Sequence, residues 1–242
     1  FATLYLTLNG EPPEAVESLV WAYSKWLLNR FDHIVFPTGA HRERFVQKGL
    51  QAPSSVISNG VDMRRYRPLN GHQEDVDVRY GLPPGPRILF VGRLAQDKEI
   101  DVLIRAMRPL GRRLAAHLLL VGKGDDRPRL EALVDELGLR HCIHFLGFVP
   151  EVDLPALYRA VDLFAIASAC EVQSLPTLQA VATGLDHVVV TGGEPLLQRE
   201  IGSLTRALRG KGVHVTVETA GTVDPDFECD LLSLSPKTSS SD

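Results

Sequence analysis

Cysteine is scarce in this chain: three among 242 residues, at Cys142, Cys170 and Cys229. An odd number so widely spaced excludes a secreted disulfide framework and points to a reducing, cytoplasmic compartment. No C-x-x-C pair occurs, so a zinc ribbon is excluded and no metal site is expected. A surplus of positive charge is also missing, because 26 Lys and Arg face 30 Asp and Glu for a net charge of −4. That balance gives no general drive toward nucleic acid. No apolar run approaches the length of a membrane span, about 18 residues, and the first residues lack the basic-then-apolar order of a signal peptide. An initiator Met is absent as well, Phe1 standing first, so a fragment is expected. The 44% hydrophobic and 23% charged residues that remain are those of an ordinary globular chain.

Ala15 to Phe31 carries Val16, Leu19, Val20, Tyr23, Trp26, Leu27 and Phe31 at helical spacing, which predicts a helix with one buried stripe. A strand at His33 to Phe36, a helix from Ala40 to Lys48 and a strand at Val56 to Ser58 follow. Residues 59–86, rich in Pro and Gly, read as a connection with one helical turn near Val76 to Tyr80. From Arg87 onward the pattern becomes a regular alternation. Strands are predicted at Arg87–Gly92, His117–Gly122, Cys142–Phe145, Val161–Ala167, His187–Thr191 and Val213–Glu218. Helices are predicted at Ile100–Leu110, Arg127–Leu137, Leu154–Arg159, Leu175–Ala182 and Pro195–Leu208. The fold class that follows is α/β, a doubly wound parallel sheet built from right-handed βαβ units. Such sheets bind ligands at the carboxyl ends of their strands.

At the first of those ends, Gly92-Arg93-Leu94-Ala95-Gln96-Asp97-Lys98 sets two cations five residues apart beside a helix start. Helix amides and fixed cations together favour a diphosphate. The alternative is a solvated loop whose Arg and Lys pair with local carboxylates. Gly122-Lys123-Gly124 approaches a dinucleotide fingerprint but lacks its third glycine. Ser168-Ala169-Cys170-Glu171 puts a carboxylate at the edge of the fourth strand.

Asn59-Gly60-Val61-Asp62 with Arg67-Pro68, Val91-Gly92-Arg93-Leu94 with Lys98, and Leu120-Val121-Gly122-Lys123-Gly124 come in this order. Phe145-Leu146-Gly147, Tyr158, Asp162-Leu163-Phe164, Ser168 and Glu171 complete the series. Between about Trp21 and Gly184 this pattern resembles the family 4 glycosyltransferases. The resemblance implies a GT-B fold of two Rossmann-like domains, a nucleotide-diphosphate sugar as donor, retention of anomeric configuration and no required cofactor or metal. It implies that Arg93 and Lys98 neutralise the donor diphosphate, that Gly60 and Gly92 lie close to the donor, and that Glu171, the first acid of the family's paired-glutamate motif, is a catalytic residue contacting the transferred sugar. Gln179 stands where the family usually has a ribose-binding Glu, which weakens donor affinity roughly tenfold, a neutral hydrogen bond contributing about 1 kcal/mol against 1.5–3 for a charged one. Glu99 stands where the family often has Gly. Residues 1–58 match only the last part of an acceptor domain, so the acceptor, a saccharide or a lipid, has no complete site.

After Gly184 the pattern changes. Gly192-Gly193-Glu194-Pro195, Val217-Glu218-Thr219-Ala220-Gly221-Thr222 and Leu232-Ser233-Leu234-Ser235-Pro236-Lys237 resemble 7-carboxy-7-deazaguanine synthase, a radical SAM enzyme of queuosine biosynthesis. In that family Gly192, Gly193, Glu194 and Pro195 would receive the methionine amino group of S-adenosylmethionine. The C-x-x-x-C-x-x-C of an iron-sulfur cluster is absent. The expected organisation is therefore residues 1–58 as an acceptor-side remnant, 59–86 as linker, 87–184 as a truncated nucleotide-sugar domain and 185–242 as a fragment of the second family. A chimera is the reading, with His187 to Thr191 expected to insert beside the fourth strand.

Three smaller features complete the reading. His141-Cys142-Ile143-His144 is a core strand with polar rims rather than a metal site. Trp21, Trp26 and Arg30 form either a domain-packing face or a peripheral membrane contact. Arg64, Arg65 and Arg67 read as a solvated linker cluster.

Overall fold

The computed structural model describes residues 14–68, 74–168, 173–184, 186–190, 195–197, 201–221, 223 and 226–234. The chain divides into two compact units, Phe1–Thr183 and Gly184–Asp242.

The first unit opens with α1 (Glu14–Leu28), β1 (Ile34–Phe36), α2 (Gly39–Gln47) and β2 (Ser54–Val56). β1 and β2 pair in parallel, Ile34 opposite Ser54 and Phe36 opposite Val56. α2 starts where Thr38 accepts a hydrogen bond from the His41 amide at 3.2 Å, an N-cap that satisfies one of the first-turn donors. The buried stripe expected on α1 does not form: Leu19, Tyr23, Trp26 and Phe31 are all more than half exposed. Another face of α1 meets α2, where Trp21 lies edge-on to Phe45 at a 5.2 Å ring separation. Tyr23 stacks on Trp26 instead, and the Arg30 guanidinium lies 3.7 Å over the Trp26 ring.

After α3 (Glu74–Tyr80), strands β3 (Arg87–Val91), β4 (His117–Val121), β5 (Ile143–Gly147) and β6 (Leu163–Phe164) form one sheet in the order β5-β4-β3-β6. All pairs are parallel. Leu89, Phe90, Leu119 and Leu120 are fully buried, as continuous apolar strands covered on both faces require. α4 (Ile100–Leu114) buries Ile100, Ile104 and Met107, and α5 (Arg127–Glu136) buries Leu130, Leu133 and Val134, at helical spacing in each case. α6 (Leu154–Arg159) and α7 (Leu175–Ala182) each carry a proline in the first turn, where a missing N–H costs nothing.

At the amino end of β3, Arg87 is buried yet fully engaged. Its guanidinium meets both Asp77 oxygens at 2.8 and 3.0 Å and the carbonyls of Pro83 and Ala160 at 2.7 and 3.0 Å. This network fastens α3 and the end of α6 to the sheet without involving its ligand-binding edge.

The second unit holds β7 (His187–Val190), α8 (Ile201–Arg209), β8 (His214–Thr219) and β9 (Leu231–Leu234). Its parallel sheet has the order β7-β8-β9. The expectation that His187 to Thr191 would join the sheet of β3 to β6 is corrected here: β7 pairs with β8, His187 opposite His214. Val190 and Val217 close that register, giving β7 a partner in its own unit. Pro195 to Leu208, expected as one helix, is a 3-10 turn at Pro195–Leu197 and α8 beyond residue 200. β9 was not expected as a strand. No described helix is long and apolar enough to cross a membrane.

Candidate functional site

The sheet order fixes where a ligand belongs. The chain runs β3 to β4 to β5 in one direction and returns to place β6 on the other side of β3, so the topological switch lies between β3 and β6. In open parallel sheets the binding crevice sits outside the strand carboxyl ends at that switch. The loop after β3 carries Gly92, Arg93 and Lys98, and the loop after β6 leads through Ser168 to α7.

Arg93 stands with its side chain 55% exposed, its Nη2 donating to Asp97 Oδ1 at 3.1 Å. Lys98 Nζ lies 3.6 Å from Asp97 Oδ2, and the Asp97 side chain is 10% exposed. A buried carboxylate thus ties the two predicted cations into one cluster. The local pairing weighed as an alternative is present, with Asp97 shared between the two cations, and Arg93 still keeps more than half of its side chain exposed at the edge of the crevice. Asp97 was missed as a site residue, although its position four after Arg93 and next to Lys98 was the available signal.

Gly122-Lys123-Gly124 has a structural explanation. A Cβ at Gly122 would fall 1.8 Å from the Gly92 carbonyl oxygen, and one at Gly124 would fall 2.0 Å from that of Leu94. These glycines let the loops after β3 and β4 lie on one another, where the Gly92 amide donates to Val121 at 3.0 Å and the Leu94 amide to Lys123 at 2.9 Å. They serve as a floor for the Gly92–Leu94 backbone, a packing role that needs no dinucleotide fingerprint.

Gln179 lies on α7, and its Oε1 accepts a hydrogen bond from the Tyr158 hydroxyl at 3.2 Å. Burial pushes the Tyr158 phenol far above its ordinary pKa, so it donates at every working pH. The Gln179 acceptor is therefore engaged within the protein, while its amide NH2 can still donate. Ser168 Oγ is buried and has no hydrogen-bond partner among the described residues. Ser174 caps α7 by accepting from the Thr177 amide at 3.3 Å, and Pro176 contributes no N–H, so this helix end offers an anion few amides and leaves the charge to Arg93 and Lys98.

Gly60 is exposed, with no heavy atom within 4 Å of where its Cβ would be. Gln173, unnoticed in the sequence, reaches the residues just before it: the Asn59 amide donates to Gln173 Oε1 at 2.8 Å, and Gln173 Nε2 donates to Ser58 Oγ at 2.6 Å. Glu171, Gly192, Gly193 and Glu194 lie outside the described residues. Pro195 is buried in the 3-10 turn of the second unit. Of the arginine cluster, Arg65 pairs with Asp62 at 3.4 Å in solvent, as a linker reading expects, but Tyr66 among them is 1% exposed. Among the described residues no group of three His, Cys, Asp or Glu could hold a metal ion.

Comparison with known proteins places the fold. The curated D-inositol 3-phosphate glycosyltransferase of Nocardia farcinica is 32% identical over 227 residues, 89% of this chain and 48% of its own length. The 7-carboxy-7-deazaguanine synthase of Rhodopirellula baltica is 66% identical over 61 residues, 25% of this chain and 24% of its own. Among solved structures, Anabaena Alr3699/HepE in complex with UDP and glucose superposes with a TM-score of 0.62 at 25% identity, over 73% of this chain and 49% of that one. The chain spans about half the length, or less, of the curated glycosyltransferases it matches. The parallel α/β architecture is that of GT-B transferases. A glycosyltransferase family 4 model matches residues 3–65, and the model of glycosyl transferases group 1 matches residues 85–225. With more than half of its length inside that second match, the chain belongs to the group 1 glycosyl transferases.

Proposed function

We propose that this chain carries the donor half of a retaining glycosyltransferase and binds a nucleotide-diphosphate sugar in the crevice between the ends of β3 and β6. The observation that carries the reading is the Arg93–Asp97–Lys98 cluster at the switch point, with Arg93 exposed and held in place by a buried carboxylate. In such a site Arg93 and Lys98 neutralise the diphosphate and stabilise the charge that develops on it as the glycosidic bond to the leaving group breaks. In this reading Gly60 and Gly92 lie close to the donor, Gln179 offers its NH2 to a ribose oxygen, and Glu171 contacts the transferred sugar. No cofactor takes part, and the acceptor is a saccharide or a lipid. The site works in the cytoplasm, a reading supported by the scarcity of cysteine.

UDP is the first nucleotide to test, because the Anabaena relative binds it. Titration calorimetry with UDP, GDP and ADP is expected to give binding with at least one of them. Arg93→Ala should weaken it ten- to a hundredfold, the worth of a charge-assisted hydrogen bond of about 1.5–3 kcal/mol. Absence of binding at millimolar concentration with all three nucleotides ends the proposal.

The chain is further proposed to be a chimera joined near Gly184, with residues 185–242 drawn from a 7-carboxy-7-deazaguanine synthase-like sequence that lacks its iron-sulfur motif. Two observations support it: the 66% identity to the synthase covers 61 residues only, and the compact units divide between Thr183 and Gly184.

A further inference from the structure

We infer that Gln173 is a positioning residue of the donor site: it holds the Gly60 segment against the start of α7, so that the strap from Ser58 to Arg67 is fixed beside the exit of β6. This rests on the donor-site reading above.

The strap is pinned at two ends. At its far end Tyr66 is 1% exposed, with its ring edge-on to Tyr158 of α6 at 6.0 Å. Arg159 of the same helix donates to the carbonyls of Arg65 and Arg67 at 3.4 and 3.3 Å. A turn between these points is closed by Asp62, whose side chain accepts from the Arg64 amide at 3.0 Å and whose carbonyl accepts from the Tyr66 amide at 3.0 Å. At the near end stands Gln173, which immediately precedes the Ser174 cap of α7. Its two amide ends are both used, the oxygen by the Asn59 N–H and the nitrogen by Ser58 Oγ. Rotating that amide by half a turn would set NH2 against N–H, so the pair of bonds admits one orientation. Gly60 lies between the pins, exposed, with open space where a side chain would be.

A rigid glycine strap with a vacant face beside the crevice suits close approach of a ligand to backbone. Hydrogen bonds between exposed groups 114 and 115 residues apart add little to the stability of a well-packed unit. Their effect falls on the position of the strap beside the start of α7, the end of the crevice where the sugar is read to lie. The nucleotide end is held by Arg93 and Lys98.

The test is calorimetry with UDP and with UDP-glucose on the full chain, its Gln173→Met variant, which keeps the volume and loses both bonds, and its Ser58→Ala variant. The Gln173→Met variant is expected to bind UDP-glucose about five- to tenfold more weakly, a change of about 1–1.4 kcal/mol. Its UDP affinity should stay within about twofold and its thermal midpoint within about 2 °C, because the contacts are exposed. Ser58→Ala should show a smaller loss of the same kind, and the double variant no more than Gln173→Met alone. Unchanged UDP-glucose affinity, or an equal loss for UDP and UDP-glucose, overturns the positioning role while leaving the donor site intact. Failure of the unaltered chain to bind either ligand overturns the donor site, and this inference with it.

Discussion

Glu99 sits at φ 45° and ψ 41°, a left-handed backbone between the Gln96–Lys98 turn and α4. A side chain there costs about 1–2 kcal/mol, and glycine would return about 0.5–1 kcal/mol of that as extra entropy of the unfolded chain. Glu99→Gly is therefore expected to stabilise the protein by about 0.5 kcal/mol, read as a higher urea midpoint. Removing an anion beside Lys98 should also tighten UDP binding, more at low salt than at high. A destabilised variant would show that Glu99 contributes a contact worth more than its strain. Ala115, at φ 49° after α4, carries the same strain without a charge and serves as the control, since Ala115→Gly should stabilise without moving nucleotide affinity. Gly124 behaves in the opposite sense. A Cβ there collides with the Leu94 backbone, so Gly124→Ala should cost about 1–3 kcal/mol and, by lifting the Arg93 loop from its floor, also weaken UDP binding.

Between elements, β4 and β5 meet through His117 Nδ1 and His144 Nε2 at 3.1 Å, where one ring donates to the other. Burial holds both pKa values below the ordinary 6.5, with His141 and Arg87 adding repulsion at His117 and His117 adding it at His144. A group whose folded pKa is lowered binds its proton more readily when unfolded. The contribution of the pair is thus complete above about pH 6.5 and is lost as pH falls through that value toward the lowered folded ones. Urea unfolding at pH 7.5 and 5.5 should show a loss of stability in acid that His144→Gln diminishes; an equal loss in both proteins would remove the pair as its cause. Strands β3 and β4 were legible because they are uninterrupted apolar runs, and the helices between strands because of their hydrophobic spacing. Elements that depend on partners were not legible. The apolar stripe of α1 has helical spacing, but which of its residues are covered depends on the elements it meets, and β9 is four residues recognisable as a strand only beside β8. The site divides in the same way. Arg93 and Lys98 follow a buried strand and could be read from position, whereas Gln173 and Tyr66 act through contacts far along the chain that no local pattern encodes.

At the scale of the whole molecule, residues 1–184 hold 21 basic and 21 acidic side chains, and residues 185–242 hold 5 and 9, so the entire net charge of −4 belongs to the second unit. Two findings pull in different directions over that segment. The group 1 family match runs to residue 225, as though the donor domain continued there, while the match to the deazaguanine synthase covers 61 residues and the compact units divide at Thr183. The separate β7-β8-β9 sheet favours independence. Gly60, Gly92, Arg93, Lys98, Glu171, Gln173 and Gln179 all fall within the first unit, as does its hydrophobic core from Phe90 to Ile143. A chain ended after Thr183 is therefore expected to fold and to bind UDP within about threefold of the full chain, a change of about 0.65 kcal/mol. A truncated chain that folds but loses more than tenfold in UDP affinity would mean that residues 185–225 complete the donor domain in function, whatever the origin of their sequence.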